Sequence, residues 1–209
     1  GGFVVWRGRN YLRSVEGAHD RAIADLSLVS GETLVPLLAT CEGNRVKIWK
    51  AEELEVVMQL DLTTIPAIGT ATTVSLHKSG SKVLVGTSER ELYELSALGE
   101  GALEPKEEAE EEGPKEEVPV GELLNTIAIG PSGSGITDFS SAATKVATLD
   151  ADGIGRDGTV MVVDLEAKSI AAREVVIGGT SCCLSPDGAQ VLVGKENGSG
   201  LVFGIADGI

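Results

Sequence analysis

Two stretches of this chain repeat each other closely at a distance of 108 residues. Thr73-Val74-Ser75-Leu76, Ser79-Gly80 and Val83-Leu84-Val85-Gly86 line up with Ser181-Cys182-Cys183-Leu184, Asp187-Gly188 and Val191-Leu192-Val193-Gly194. Weaker copies begin at Asp25-Leu26-Ser27-Leu28, with Gly31 at the turn, and at Thr137-Asp138-Phe139-Ser140, with Ala142 at the turn. The turn positions 31, 80, 142 and 188 lie 49, 62 and 46 residues apart. The long interval holds a glutamate-rich run, and removing about 16 residues there restores the common period. A fixed period of this size makes the chain an array of similar units, so the unit must be identified before any local structure is assigned.

Each unit reads as a short alternating strand, a turn, a more apolar strand, a polar turn and a third strand. The third strands are expected at Arg45 to Trp49, Glu91 to Leu95, Thr159 to Leu165 and Leu201 to Ile205. Fourth strands are expected at Glu55 to Leu62, Leu123 to Ile129 and Arg173 to Ile177. Glycine, at 27 of 209 residues, supplies the tight turns such short strands need. Four antiparallel strands per unit describe a β-propeller blade. The expectation is therefore an all-β chain, a partial ring of about four to five blades. Residues 1–16 end a preceding blade, 17–64 and 65–129 are blades, 130–178 is a third and 179–209 is incomplete. An open arc exposes strand edges and one side of its core, so flanking sequence or another chain is expected to supply the remaining blades. The chain begins with glycine and reads as an excerpt of a longer one.

Particular residues sharpen this expectation. Gly17-Ala18-His19-Asp20 precedes a first strand, and Val46-Lys47-Ile48-Trp49-Lys50 closes a third. These resemble the Gly-His and Trp-Asp signatures of WD repeats, with Lys50 where the aspartate stands and no aspartate in the turn Glu42-Gly43-Asn44. Phe3-Val4-Val5-Trp6 looks like the third strand of a preceding blade, with Tyr11 to Val15 as its fourth. Taken with the Lys82-to-Thr87 strand and the later Ser185-Pro186-Asp187-Gly188 turn, the chain resembles the echinoderm microtubule-associated protein-like family. That resemblance implies a WD-repeat propeller in which His19 and Trp49 are structural, His19 bonding within its blade beside Trp49. It also implies association with tubulin or microtubule-associated proteins in the cytoplasm and cytoskeleton, including assemblies such as a ciliary axoneme.

Charge and chemistry narrow the function classes. Formal net charge is −15, and the run Glu104 to Glu117 sets eight glutamates against two lysines. Residues 103–119, with Pro105, Pro114 and Pro119, are expected to form an unstructured acidic insertion. This balance argues against nucleic acid, whose phosphates are met by Lys and Arg, and against an anionic membrane surface. No apolar run approaches the roughly 18 residues of a membrane span. Cys41, Cys182 and Cys183 show no metal or disulfide spacing and are expected as buried strand thiols. His19 and His77 are the only histidines, so a catalytic or metal-binding histidine pair has no support, and His77 is expected in solvent. Asp150 to Gly158 begins like a calcium loop but has Ile154 at its fifth position and Met161 at its twelfth, and it reads as a turn. Gly130 to Gly135 lacks the Lys-Ser/Thr ending of a phosphate loop, and Asn197-Gly198-Ser199 matches a glycosylation acceptor in a chain without an export signal. No cofactor is called for.

Residues 1–21 stand apart, with four arginines against two acids, a net of +2. Arg7, Arg9 and Arg13 are the candidate contacts with an acidic protein surface. The expected function is a non-catalytic scaffold associated with microtubules. The alternative is a general WD-repeat adaptor in a non-cytoskeletal complex.

Overall fold

The structure, a computed structural model, describes residues 1–29, 35–65, 69–77, 79–89, 91–98, 122–128, 136–142, 145–151 and 157–205. The acidic insertion at 103–119, the glycine-rich 130–135 and Gly31 lie outside the described residues.

Among the described residues, seventeen strands form five antiparallel sheets. The first sheet is a hairpin of β1 (Phe3–Arg7) and β2 (Asn10–Val15). The second joins β3 (Asp25–Val29), β4 (Leu37–Glu42), β5 (Arg45–Lys50) and β6 (Glu55–Asp61), followed by a 3-10 turn at Leu62–Thr64. The third contains β7 (Ala71–Leu76), β8 (Lys82–Thr87), β9 (Glu91–Ser96) and β10 (Leu123–Ala128). The fourth contains β11 (Ile136–Ala142), β12 (Lys145–Ala151), β13 (Asp157–Asp164) and β14 (Ser169–Ile177). The fifth has three strands, β15 (Gly179–Leu184), β16 (Gln190–Lys195) and β17 (Gly200–Gly204). Within every sheet each strand pairs with its neighbour in sequence, and the sheets remain separate, an arrangement compatible with a β-propeller.

The 108-residue repeat extends to backbone irregularities. The β7–β8 ladder shifts register between Ala71 and Thr73, and the β15–β16 ladder shifts between Gly179 and Ser181, the same two positions in each copy. The β11–β12 ladder carries a shift of the same kind between Ile136 and Asp138. Gly80 and Gly188, in the two matching turns, have φ of 72° and 68°, where a Cβ is penalised. Strand ends depart from expectation at a few places. Ala142, expected in a turn, ends β11 and pairs with Lys145. Leu62, Leu165 and Ile205 fall just beyond their strands, Leu62 because the Asp61 side chain accepts from the Thr63 N–H and winds the chain into the 3-10 turn.

The core lies between sheets in layers, and side-chain parity decides which layer a residue joins. Leu37, Ala39 and Cys41 of β4 meet Val74, Leu76, Val83 and Val85 of the third sheet. Leu84, one position out of phase with Val83 and Val85, points the other way and meets Ile136 and Val146 of the fourth sheet. Ala147 and Leu149 then meet Cys182, Leu184, Val191 and Val193 of the fifth. Central strands therefore read as continuous apolar runs because both faces are covered; all six residues of β4 are buried. Polar bonds supplement these layers. The Val74 N–H donates to Asp25 Oδ2 at 2.9 Å and the Leu76 N–H to Ser27 Oγ at 3.2 Å.

Among the described residues, each end of the stack carries apolar side chains that no other sheet covers. Leu26 and Leu28 on β3 are 53% and 62% exposed, whereas the matching Val74 and Leu76 on β7 are 2% and 3%. At the other end Leu192 is 50% and Val202 is 62% exposed. Val4, Trp6, Tyr11 and Leu12 of the hairpin are exposed as well.

Candidate interaction surface

The link between β2 and β3 runs over the face of the second sheet that looks toward the hairpin. Ala18 and His19 are buried there with Leu38 and Trp49, and Phe3 and Val15 of the hairpin pack against the same cluster. The Phe3 and Trp49 rings meet edge to face, with centroids 5.5 Å apart. Trp49 is 4% exposed, so its indole N–H needs an internal acceptor. Thr40 Oγ1 supplies it at 2.9 Å and lies 2.7 Å from His19 Nε2.

The indole can only donate, so Thr40 Oγ1 accepts from Trp49. The Glu42 carboxylate, with Oε2 3.5 Å from His19 Nδ1, favours the tautomer that carries its proton on Nδ1, in which Nε2 accepts from the Thr40 hydroxyl. That distance is too long for a well-formed hydrogen bond, so the attraction is mainly between charge and dipole. Burial lowers the His19 pKa, the nearby Lys47 cation lowers it further, and Glu42 opposes both. Lys47 spans the group, with Nζ donating to the Ala18 carbonyl at 2.6 Å and lying 5.7 Å from the Trp49 ring centroid. The Trp49–Thr40–His19–Glu42 chain is a pin that ties the β2–β3 link to β4 and β5. In the fourth sheet Thr148 is also buried on β12, but its hydroxyl has no hydrogen-bond partner among the described residues.

The structure brings His19 and Trp49 together through Thr40, a residue that sequence reasoning passed over. Glu42 was singled out only as part of a turn lacking aspartate; here its carboxylate faces His19 from the last residue of β4. The signal was available in parity: Leu38, Thr40 and Glu42 share one face of β4, and Trp49 pairs with Leu38.

The arginines divide into two kinds. The Arg13 guanidinium donates to the backbone carbonyls of Glu52 and Glu53, fastening the hairpin to the β5–β6 turn. It remains exposed while holding these bonds. Arg7 and Arg9 flank Gly8, which takes φ of 61° at the tip of the β1–β2 hairpin, and both are exposed. Beneath them Val5, Leu12, Leu28, Pro36 and Ala51 line an open groove of about 460 Å³. Trp6 and Tyr11 stack edge to face on the hairpin, 5.7 Å between centroids, with more than half of each side chain in solvent.

The remaining polar candidates resolve into structure. His77 is half-buried, and its Nδ1 lies 2.7 Å from Ser79 Oγ in the β7–β8 turn, so it is held by the turn instead of standing free in solvent. Cys41 and Cys182 are buried as expected, whereas Cys183 is exposed because it alternates to the uncovered face of β15. Desolvation pushes the Cys41 thiol up to about 12. Among the described residues no group of three or more His, Cys, Asp or Glu side chains is placed to hold a metal ion.

No protein-family model matches the chain, and no curated protein matches it. Among solved structures, Kuenenia stuttgartiensis hydrazine synthase superposes with a TM-score of 0.61 at 11% identity, covering 90% of this chain and 47% of its own. This chain thus spans about half the length of that one. The computationally designed Ika4 protein superposes with a TM-score of 0.58 at 16% identity, covering 90% of this chain and 94% of its own. At such identities the likeness carries the fold alone, so what this chain is similar to is an arrangement of sheets.

Proposed function

We infer that this chain is an arc of a WD-repeat β-propeller of the echinoderm microtubule-associated protein-like type, acting as a non-catalytic scaffold on microtubules or a microtubule-based assembly. The observation that carries the WD-repeat part is the buried bond from Trp49 through Thr40 to His19. It places the Gly-His link and the tryptophan of the third strand in one polar pin, which is the role the resemblance assigns to those two residues. The functional part is carried by the sequence resemblance and by charge. Arg7 and Arg9 are exposed on a hairpin tip in a chain of net charge −15, so an acidic partner is attracted there and repelled elsewhere.

Co-sedimentation with microtubules tests this reading. Binding is expected for the wild-type chain and should weaken as salt shortens the screening length from about 8 Å at physiological ionic strength. Arg7→Glu combined with Arg9→Glu should weaken it several-fold with an unchanged melting curve. Arg13 is left intact because it fastens the hairpin. Absence of wild-type binding would overturn the cytoskeletal reading and favour the general adaptor. Binding that ignores both salt and the double substitution would remove the hairpin tip from the contact.

A further inference from the structure

We propose that the outer edge of β14 is a strand-addition site, taking an extended segment of a partner protein that reads aliphatic, polar, aliphatic, basic, acidic.

The fourth sheet has all four of its strands and packs between the third and the fifth. β14 is its outer strand and, among the described residues, pairs with β13 alone. Residues opposite each other in a ladder share a face. Arg173 lies opposite Met161 and Ile170 opposite Val163, and both Met161 and Val163 pack toward the third sheet. Ile170, Arg173, Val175 and Ile177 therefore form one row on that face, while Val176 turns the other way into the junction with the fifth sheet. Val175 and Ile177 are 64% and 66% exposed. Among the described residues, every other large hydrophobic side chain at least half in solvent belongs to the hairpin, to β3 or to the fifth sheet. These two sit in the middle of the stack and look toward a complete sheet, so neither end of the chain accounts for their exposure.

The sister strands show that the fold does not require them. Val175 lies opposite Thr159 on the third strand of its sheet, and the residues at the same level in the other complete sheets are Asp61, opposite Arg45, and Ala128, opposite Glu91. One place along, Arg173 corresponds to Gln59 and Thr126. β14 also runs to nine residues against seven in β6 and six in β10, and its extra length carries Ile177. An outer strand presents a row of unpaired N–H and C=O groups, which proteins commonly blunt with lysine, proline or a bulge. Residues 172–177 contain neither lysine nor proline, and the bulge in this ladder falls before them, between the partners of Val163 and Val162. The edge is thus apolar on one face, long and unguarded, which suits main-chain pairing with alternate side chains read on each face.

Charge selects the occupant. Arg173 on the row and Glu174 on the opposite face are both exposed, and neither makes a hydrogen bond or ion pair among the described residues. A strand laid antiparallel along Ile177 to Arg173 meets, in its own chain order, two apolar positions flanking a polar one, then Glu174, then Arg173. Opposite-charge pairs across a ladder are favourable and like pairs are not. A second copy of this chain fits poorly, because antiparallel self-pairing centred on either charge sets like against like and each copy carries −15.

The inference uses the sheet arrangement and is independent of microtubules and of the Arg7 and Arg9 tip. Fluorescence anisotropy of a labelled, end-capped peptide Thr-Val-Thr-Val-Lys-Glu-Thr with the full chain tests it. The wild type should bind saturably. Val175→Thr combined with Ile177→Thr keeps β-branched side chains in the strand, and should weaken binding by about tenfold with circular dichroism and melting temperature unchanged. Exchanging the order of Lys and Glu in the peptide should weaken it about threefold. Proline at both central positions should abolish it, since the added strand then loses backbone donors. Arg7→Glu with Arg9→Glu should leave peptide binding intact, so loss of microtubule binding and loss of this site are read separately. No saturable binding to the wild type, equal binding by the Val175→Thr, Ile177→Thr variant, or equal binding of the proline peptide overturns the proposal. A wild-type chain that instead doubles its mass in sedimentation, and reverts to monomer in that double variant, overturns it in favour of a second copy at the same edge.

Discussion

The third and fifth sheets are built from nearly the same sequence and live in different surroundings. Leu84 is 4% exposed and its counterpart Leu192 is 50%. Val83 and Val85 are buried, and so are Val191 and Val193. The face that looks back is thus treated alike in both copies, and only the forward face differs, because the third sheet has a successor and the fifth, among the described residues, has none. Burial in a repeat array is a property of the junction, which one unit cannot fix alone.

The largest effect should follow from cutting into the covered junction. Leu84→Ala leaves a cavity between the third and fourth sheets and should cost about 2–5 kcal/mol in chemical denaturation. Leu192→Ala, made where the chain is monomeric, should cost within about 0.5 kcal/mol. Equal costs at the two sites would break the comparison, since they would mean that the repeat determines stability without regard to neighbours.

That contrast also marks how far the sequence could be read. Strand positions, the turns at Gly80 and Gly188 and the all-β, antiparallel character of the chain were legible, because alternation and φ-permissive glycines are local properties. The exposure of Cys183 was not. Beside Cys182 in an apolar run it looks like any buried strand thiol, and its surroundings depend on a neighbouring sheet that the run does not encode. The pin was half legible. His19 and Trp49 are conspicuous residue types, whereas Thr40 is an ordinary strand residue whose role appears only when register places it between them. The bonds that Arg13 makes within the chain were hidden for a similar reason: its partners are the backbone carbonyls of Glu52 and Glu53, which no side-chain pattern reveals.

A second prediction extends the comparison to the junction between hairpin and second sheet, which polar groups close. Thr40→Val keeps the shape and leaves both Trp49 Nε1–H and His19 Nε2 without a partner. It should cost about 1–3 kcal/mol. The same change at Thr148, whose hydroxyl has no bond to lose, should be neutral or stabilising. A Thr40→Val protein as stable as the wild type would show that the pin is decorative.

The smallest expected effect is in pH dependence. The folded-state pKa of His19 lies below its ordinary value of 6.5. The unfolded chain therefore takes up the proton first as pH falls, and stability present above about 6.5 is lost between there and the folded value. The wild type should lose more stability between pH 7 and pH 5 than a His19→Gln variant does. Parallel pH curves for the two proteins would show that His19 is not the group responsible, and would place the polar junction on the same footing as the apolar ones.

Cys183 gives the open end a chemical identity of its own. Of the three thiols, Cys41 and Cys182 are sealed within layers, and Cys183 faces outward beside Leu192. A maleimide or disulfide reagent added to the folded protein at neutral pH would thus write its label at one terminus of the stack and nowhere in its middle. The labelling rate becomes a clock for whatever sits on that face, slowing when a sheet covers it and running freely when none does. A residue on the outward face of β15 thereby turns the direction of the stack into something a reagent can read.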